Sequence, residues 1–224
     1  MLTLALDTTA EFGSMALLRD EVVVTETLLH APDGFSGMLF ERLDALLTRE
    51  GLVPDDIDVF AAASGPGSFT GVRIGLAAAK GLAEVLGKAV IPISNLEALS
   101  RFGTAPLRAT VLDARRGEVF AALYADDGKV VIEEQVIRFP HFMELLGERD
   151  FEWVSPHFEP FLPALVGTRL TSLPVTVAPR ALAAVIGQIA VARMRGGDTG
   201  EPASVEANYV RRSDAELLWR ESAL

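Results

Sequence analysis

Two aspartates in this chain close apolar runs and lead at once into short polar turns. Asp7 ends Leu4-Ala-Leu-Asp7 and is followed by Thr8 and Thr9; Asp113 ends Thr110-Val-Leu-Asp113 and is followed by Ala114, Arg115, Arg116 and Gly117. A carboxylate at a strand end, beside backbone amides, can serve nucleotide phosphates and their Mg²⁺, and glycine is favoured there because the amides must come close. Here Glu11 brings a negative charge near where phosphate would lie in the first turn, and two long cations replace a glycine pair in the second. Arg115 and Arg116 could grip an anion or form surface ion pairs. Asp7, Thr8, Thr9 and Asp113 are the candidate residues of these two turns.

The glycines lie elsewhere, in Ser64-Gly-Pro-Gly-Ser-Phe-Thr-Gly-Val-Arg-Ile-Gly75. The apolar run Val59 to Ala63 enters this stretch and a helical pattern from Ile74 to Leu86 leaves it, so a strand ends, a turn follows and a helix begins. Gly65, Pro66, Gly67, Ser68, Phe69, Thr70 and Gly71 form the turn, with Ser68 or Thr70 as the helix cap. Thr70 breaks the Gly-x-Gly-x-x-Gly spacing, and Arg73 is not in the Walker lysine position. A tight turn under close packing is the favoured reading. Ser68 also lacks the Gly-x-Ser-x-Gly elbow of a hydrolase.

Metal chemistry has little to work with. The only histidines are His30, His141 and His157, without His-x-x-x-His spacing, and there is no cysteine. The fourth strand ends Phe-Ala-Ala-Ala-Ser and offers no carboxylate to join Asp7 in a two-metal site.

The elements that must position these groups follow from periodicity. Strands are expected at Leu2 to Asp7, Ser14 to Leu18 and Val22 to Leu29, then a helix from Ser36 whose apolar positions include Met38, Leu39, Leu43, Leu46 and Leu47. After the glycine turn, Val72, Leu76, Ala79, Ala83 and Leu86 form one apolar stripe of the helix and Ile74, Ala78, Leu82 and Val85 a second. Two stripes imply burial on both sides or burial against a partner. A strand at Val90 to Ile93 and a Ser94-capped helix through Leu99 follow, and Arg101 to Pro106 reads as a lobe boundary. The chain then starts again, with strands at Thr110 to Asp113, Val119 to Tyr124 and Val130 to Ile132. A helix at Phe139 to Leu146, a strand at Phe151 to Val154, a helical Phe158 to Leu165 and an alanine-rich helix from Pro179 to Met194 complete it. The tail carries Tyr209, Trp219 and several arginines, a composition that often docks on the body or on a partner.

Composition bounds the rest. The 224 residues are half hydrophobic and carry a formal net charge of −11. Such acidity argues against unaided nucleic-acid binding. The absence of cysteine fits a reducing compartment. The start Met-Leu-Thr-Leu-Ala-Leu-Asp reads as a first strand rather than a leader, and no run is long enough to span a membrane. A cytoplasmic, soluble protein is expected.

The repeat of strand, aspartate, turn and meander resembles the actin, sugar-kinase and Hsp70 superfamily, in which two such turns hold nucleotide phosphates and Mg²⁺. The resemblance implies that Asp7, Thr8, Thr9 and Asp113 are a vestigial nucleotide-binding set. The expected fold is α/β, an actin-like (ASKHA) two-lobed fold with each lobe ribonuclease H-like: residues 1–103 form the first lobe with dimerisation helices, and residues 104–224 a second, shorter lobe with the tail. Closer still, Gly65-Pro-Gly-Ser-Phe-Thr-Gly-Val-Arg-Ile-Gly75 and Ala79-Lys-Gly-Leu-Ala83 resemble the bacterial TsaB (YeaZ) family. Leu6-Asp-Thr-Thr9, Ser94-Asn-Leu-Glu-Ala-Leu99, Asp113-Ala-Arg-Arg-Gly-Glu-Val119 and Asn208-Tyr-Val-Arg211 match it in order. One departure is that Ala31-Pro-Asp-Gly-Phe-Ser36 separates His30 from Ser36, where the family often shows a His-Ser pair.

The resemblance implies a non-catalytic scaffold subunit in the formation of N6-threonylcarbamoyladenosine at position 37 of tRNAs reading ANN codons. It implies TsaD as heterodimer partner and metal-bearing transferase, TsaE as an ATPase joining the pair, a homodimer in isolation, and contact with tRNA only through the complex. No membrane and no cofactor of its own are implied, with ATP or ADP only at the partner interface. Met38, Leu39, Arg42, Leu43, Leu46, Val72, Arg73, Leu76, Ala79, Lys80 and Ala83 are the interface candidates. Competing readings are a metal- or ATP-dependent, glycopeptidase-like hydrolase and a stand-alone tRNA-binding protein.

Overall fold

The computed structural model describes residues 1–208 and 210, so the tail expectation at Tyr209 and Trp219 lies outside the described residues. The chain forms two compact units. The first begins with β1 (Leu2–Asp7), β2 (Phe12–Arg19) and β3 (Val22–His30), and continues through α1 (Leu39–Arg49), β4 (Val59–Gly65), α2 (Phe69–Leu86) and β5 (Ala89–Ser94) to the start of α3 (Asn95–Ser100), the boundary falling after Ala98. The second holds β6 (Leu107–Arg115), β7 (Glu118–Ala125), β8 (Val130–Arg138), α4 (Phe139–Leu146), β9 (Glu152–Ser155), the single turn α5 (Leu162–Leu165) and β10 (Val175–Val177). The chain then returns to the first unit with α6 (Ala183–Arg195).

The first sheet runs β3-β2-β1-β4-β5, an antiparallel meander extended by parallel strands. Leu17, Leu4, Phe60 and Val90 stand in one register row across four strands, all on the face covered by α1 and α2. The leucines of α1 explain its seat: Leu39, Leu43, Leu46 and Leu47 fall on one stripe and all are buried. Strand β4 is buried throughout, since helices cover both of its faces, and its run of three alanines leaves room for them.

The opposite face carries α6, which packs against β1, β2, β4 and β5. Gly187 permits this contact: a Cβ there would come 2.3 Å from Leu18 Cδ1 and 3.3 Å from Ala5 Cβ. The cap of α6 is borrowed. Ser14 Oγ accepts from the amides of Leu182 and Ala183 at 3.0 and 2.9 Å, and Glu26 Oε1 accepts from Ala184 at 2.8 Å. The acid at a helix N-terminus also suits the helix dipole. The lobe division read from the sequence put residues 104–224 together; instead, Pro179–Ala207 belongs with Met1–Ala98. Contiguity in sequence concealed this, because the residues that cap α6 lie more than 150 positions earlier.

The second sheet repeats the plan in the order β10-β9-β6-β7-β8. Leu123, Ala109 and Trp153 form a register row beneath an aromatic cluster of Phe139, Phe142, Phe151, Phe158 and Phe161. Strand β8 runs six residues beyond the expected Ile132, directly into α4, and β10 was not expected at all. The expected helix at 158–165 breaks into a 3-10 turn, Glu159–Phe161, and α5, each with a proline at its start. Glu152 ties this unit's opening segment to its sheet. Its Oε2 accepts from the amides of Thr104 and Ala105 at 2.5 and 2.9 Å, and the Thr176 hydroxyl donates to Oε1. Burial pushes its pKa up, but the Thr176, Ala105 and Thr104 hydrogen bonds and Arg108 outweigh that and hold it below the ordinary range.

Candidate functional site: the two aspartate turns

Asp7 lies at the carboxyl end of β1, between antiparallel β2 and parallel β4, the edge where open α/β sheets take ligands. Its surroundings are closed. The residue is 2% exposed, and Oδ1 accepts from Thr9 N at 3.0 Å and from Thr9 Oγ1 at 2.7 Å. Asn95 Nδ2 donates to Thr9 Oγ1 at 2.8 Å, and Asn95 Oδ1 accepts from Gly65 N at 3.1 Å. One hydrogen-bonded chain therefore joins the ends of β1, β4 and β5. Burial pushes the Asp7 carboxyl above its ordinary range, and the Thr9 and Asn95 hydrogen bonds offset part of that push.

The glycine turn between β4 and α2 lies directly on this first turn. Ser68 N donates to Thr9 O at 2.6 Å, and Thr8 Oγ1 donates to Gly71 O at 2.7 Å. A Cβ on Gly67 would stand 2.5 Å from Thr9 O, one on Gly71 2.0 Å from Thr8 O, and one on Gly75 2.5 Å from Thr8 Oγ1. Most of these obstacles are backbone, so side chains cannot be accommodated by a rotamer change. The glycines are thus explained by contact between two backbone segments, as the spacing had indicated. Ser68 is the α2 cap, its Oγ accepting from Gly71 N at 3.3 Å. Asn95 was missed as a site residue. An amide side chain just beyond a strand's carboxyl end, able both to donate and to accept, was its only sequence signal.

The second turn is open. Asp113, Arg115, Arg116 and Gly117 are exposed. Asp113 Oδ1 accepts from Arg115 N at 2.7 Å, and Arg115 pairs with Glu118, leaving Arg116 and Gly117 as a two-residue hairpin loop. Arg115, Arg116 and Gly117 have φ of 64°, 54° and 77°, three successive left-handed residues. Glycine at the second loop position is what a tight hairpin of this hand requires. Two arginines before it are unusual there.

The interface candidates divide by burial. Leu39, Leu43, Leu46, Val72, Leu76, Ala79 and Ala83 all belong to the first unit's own core, and half-buried Met38 packs against it. Lys80 is half-buried, while Arg42 and Arg73 are exposed, Arg73 lying 3.7 Å over the Phe69 ring. The stripe chosen on α2 thus faces its own sheet. What α1 and α2 turn outward is different: Phe40, 57% exposed, with Asp44 and Ala45 on α1, and Arg73, Ala77, Gly81, Glu84 and Val85 on α2.

Two sheets, each a three-stranded meander continued by parallel strands with helices packed on them, define an actin-like two-lobed α/β protein. Residues 33–156 match the family model described as "TsaD: tRNA N6-adenosine threonylcarbamoyltransferase". The Bacillus subtilis tRNA threonylcarbamoyladenosine biosynthesis protein TsaB is 34% identical over 155 residues, 67% of this chain and 68% of that one. The chain belongs to the TsaB family. A crystal structure from Pseudomonas aeruginosa, described as an uncharacterized protein with similarity to peptidase YEAZ, superposes with a TM-score of 0.76 at 26% identity, covering 94% of this chain and 99% of that one. The activator of 2-hydroxyisocaproyl-CoA dehydratase from Clostridium difficile, solved with bound ADPNP, has a TM-score of 0.50 at 13% identity over 88% of this chain and 98% of that one, a likeness of fold alone. Among the described residues, no helix is long and apolar enough to cross a membrane.

Proposed function

We propose that this chain serves N6-threonylcarbamoyladenosine formation at position 37 of tRNAs reading ANN codons as a scaffold subunit without an active site of its own. The observation that carries this reading is the closed first turn. Where a nucleotide-binding relative would need open amides, Thr9 N is spent on Asp7, Ser68 N is spent on Thr9 O, and the glycine turn sits on both threonines. A buried carboxyl whose pKa burial raises is also poorly suited to hold Mg²⁺ as an anion.

In this reading TsaD is the heterodimer partner and carries the chemistry, TsaE joins the pair, and the isolated chain pairs with a second copy. ATP or ADP is held only at the partner interface, and tRNA is engaged through the complex. The outward faces of α1 and α2 supply the partner surface, because the inward stripes are committed to the core. Phe40→Glu combined with Ala77→Glu should abolish co-purification with TsaD while leaving the melting temperature unchanged. Pairing that survives both changes would sink the interface. Calorimetric titration of the isolated chain with ATP and Mg²⁺ should show no binding; tight binding with turnover would overturn the non-catalytic role.

A further inference from the structure

Each sheet ends in two edge strands, β3 and β5 in the first, β10 and β8 in the second. An uncovered edge carries a row of unpaired amides and carbonyls, and proteins normally cover, shorten or distort it. Gly200 O accepts from Val90 N at 2.9 Å, which covers the edge of β5. Strand β10 is three residues long, and the pairing of β8 with β7 shifts register twice. Strand β3 shifts once, with Val24 as the extra residue against β2. From Thr25 to His30 its pairing is regular, and no further strand lies beyond it among the described residues.

The side chains of this run complement themselves. Glu26, Leu28 and His30 alternate onto the face that carries α6, where Glu26 Oε1 accepts from Ala184 N at 2.8 Å. Leu29, on the other face, is buried in the core, whereas Leu28 is 51% exposed. Both polar groups are held in place. The Ala184 amide fixes Glu26, and His30 stacks on the Phe12 ring with centroids 4.4 Å apart and Nε2 2.7 Å from Glu11 Oε1. Arg180, 4.3 Å over the Phe12 ring, adds a cation at the His30 end. A twofold axis at Leu28 brings an antiparallel copy into register with Leu28 on Leu28. Glu26 of each copy then faces His30 of the other, acid against base on both sides of the axis. An axis at Glu26 would oppose two carboxylates, and one at Thr27 would set Glu26 against Leu28, so the charges select the register.

We propose that the Glu26–His30 run of β3 is where a second copy of this chain docks, edge to edge, joining the first sheets of the two copies into one. The inference rests on the reading above only for the pairing of copies, to which it gives a place apart from the outward faces of α1 and α2; it does not require TsaD. So short a strand contact is small, and the pair is weak and concentration-dependent.

The test is sedimentation velocity of the full chain from about 5 to 500 µM. Wild type should shift toward dimer as concentration rises. Leu28→Lys should raise the dissociation constant about tenfold with the melting temperature unchanged, since lysine blocks a strand edge. Glu26→Lys and His30→Glu should each weaken self-association. An equimolar mixture of those two variants should associate more tightly than either alone, because the new lysine of one copy then faces the new glutamate of the other. Glu26→Lys also loses the acid that caps α6, so a cross-link gives a second readout. The chain has no cysteine, and Leu28→Cys should therefore form oxidised dimers through position 28 alone. They should form about tenfold faster than with Val22→Cys, although Val22 is the more exposed at 70%. Wild type that stays monomeric throughout, a dimer that survives Leu28→Lys, or equal cross-linking at both cysteines would each overturn the inference. So would a dimer lost in Phe40→Glu with Ala77→Glu but kept in Leu28→Lys, the copies then pairing through their helices. Leu28→Lys should leave TsaD co-purification intact; its loss would make β3 a surface for TsaD instead. Self-association and TsaD pairing are scored by different variants, so failure of the scaffold reading and failure of this inference are distinguishable.

Discussion

The two aspartate turns begin alike and end in opposite states. Asp7 is buried, its oxygen engaged by Thr9, with the glycine turn lying over the threonines. Asp113 is exposed and braces a hairpin whose arginines face solvent. The same strand-Asp-turn has become an internal joint in one lobe and an external projection in the other. A motif shared by two halves of a chain therefore says where a turn will be, and not whether a ligand can reach it.

The sharpest way to break the comparison is to add one methyl group to each turn's glycine. Gly71→Ala should cost about 3 kcal/mol, since backbone blocks the new group; the obstacle is Thr8 O at 2.0 Å. Gly117→Ala should cost only about 1 kcal/mol, for backbone strain alone, because nothing lies within 4 Å of its Cβ position. Urea unfolding of both variants checks the contrast, and equal losses would mean the first turn is not the tightly joined one.

Next in size is Asn95→Ala. It removes the acceptor for Gly65 N and the donor to Thr9 Oγ1, both enclosed, and should destabilise by about 2 kcal/mol. Asp113→Ala, at the exposed turn, gives the reference loss, which should be smaller by at least half in the same unfolding measurement.

The smallest expected effect is in pH dependence, where the two lobes should have opposite slopes. Asp7 has a raised pKa, so its contribution is greatest below the ordinary value of 3.8 and is lost as pH rises through the folded value. Glu152 has a lowered pKa, so its contribution is present above the ordinary value of 4.5 and is lost as pH falls through the folded value. Relative to wild type, Asp7→Asn should therefore gain stability as pH rises from about 4 to 7, while Glu152→Gln should gain as pH falls below about 4.5. Denaturation midpoints across that range measure both. Parallel slopes would refute the assignment.

Much of the architecture was legible because apolar periodicity reports local structure. The leucines of α1, the alternation of β1 and the run at β4 each specify an element without help from elsewhere. The glycine turn was also legible as a packing feature, because three glycines beside a proline at that spacing fit no phosphate loop. The interface candidates were less well read. Two apolar stripes on α2 were equivalent in one dimension, and only the sheet beneath it distinguishes the stripe of Val72, Leu76, Ala79 and Ala83 as inward. The lobe division faltered for a related reason: α6 carries no cap of its own, and the serine and glutamate that cap it sit on β2 and β3.

The sequence by itself determined the elements, the repeated turn and the membership in the TsaB family, since each depends on residue types at short, countable spacings. Only the tertiary structure decided which aspartate is enclosed, which helix face is spent on the core and to which lobe the last helix belongs. Those outcomes depend on what residues distant in sequence bring to the same place. Burial, and with it the raised pKa of Asp7, is a property of that assembled neighbourhood.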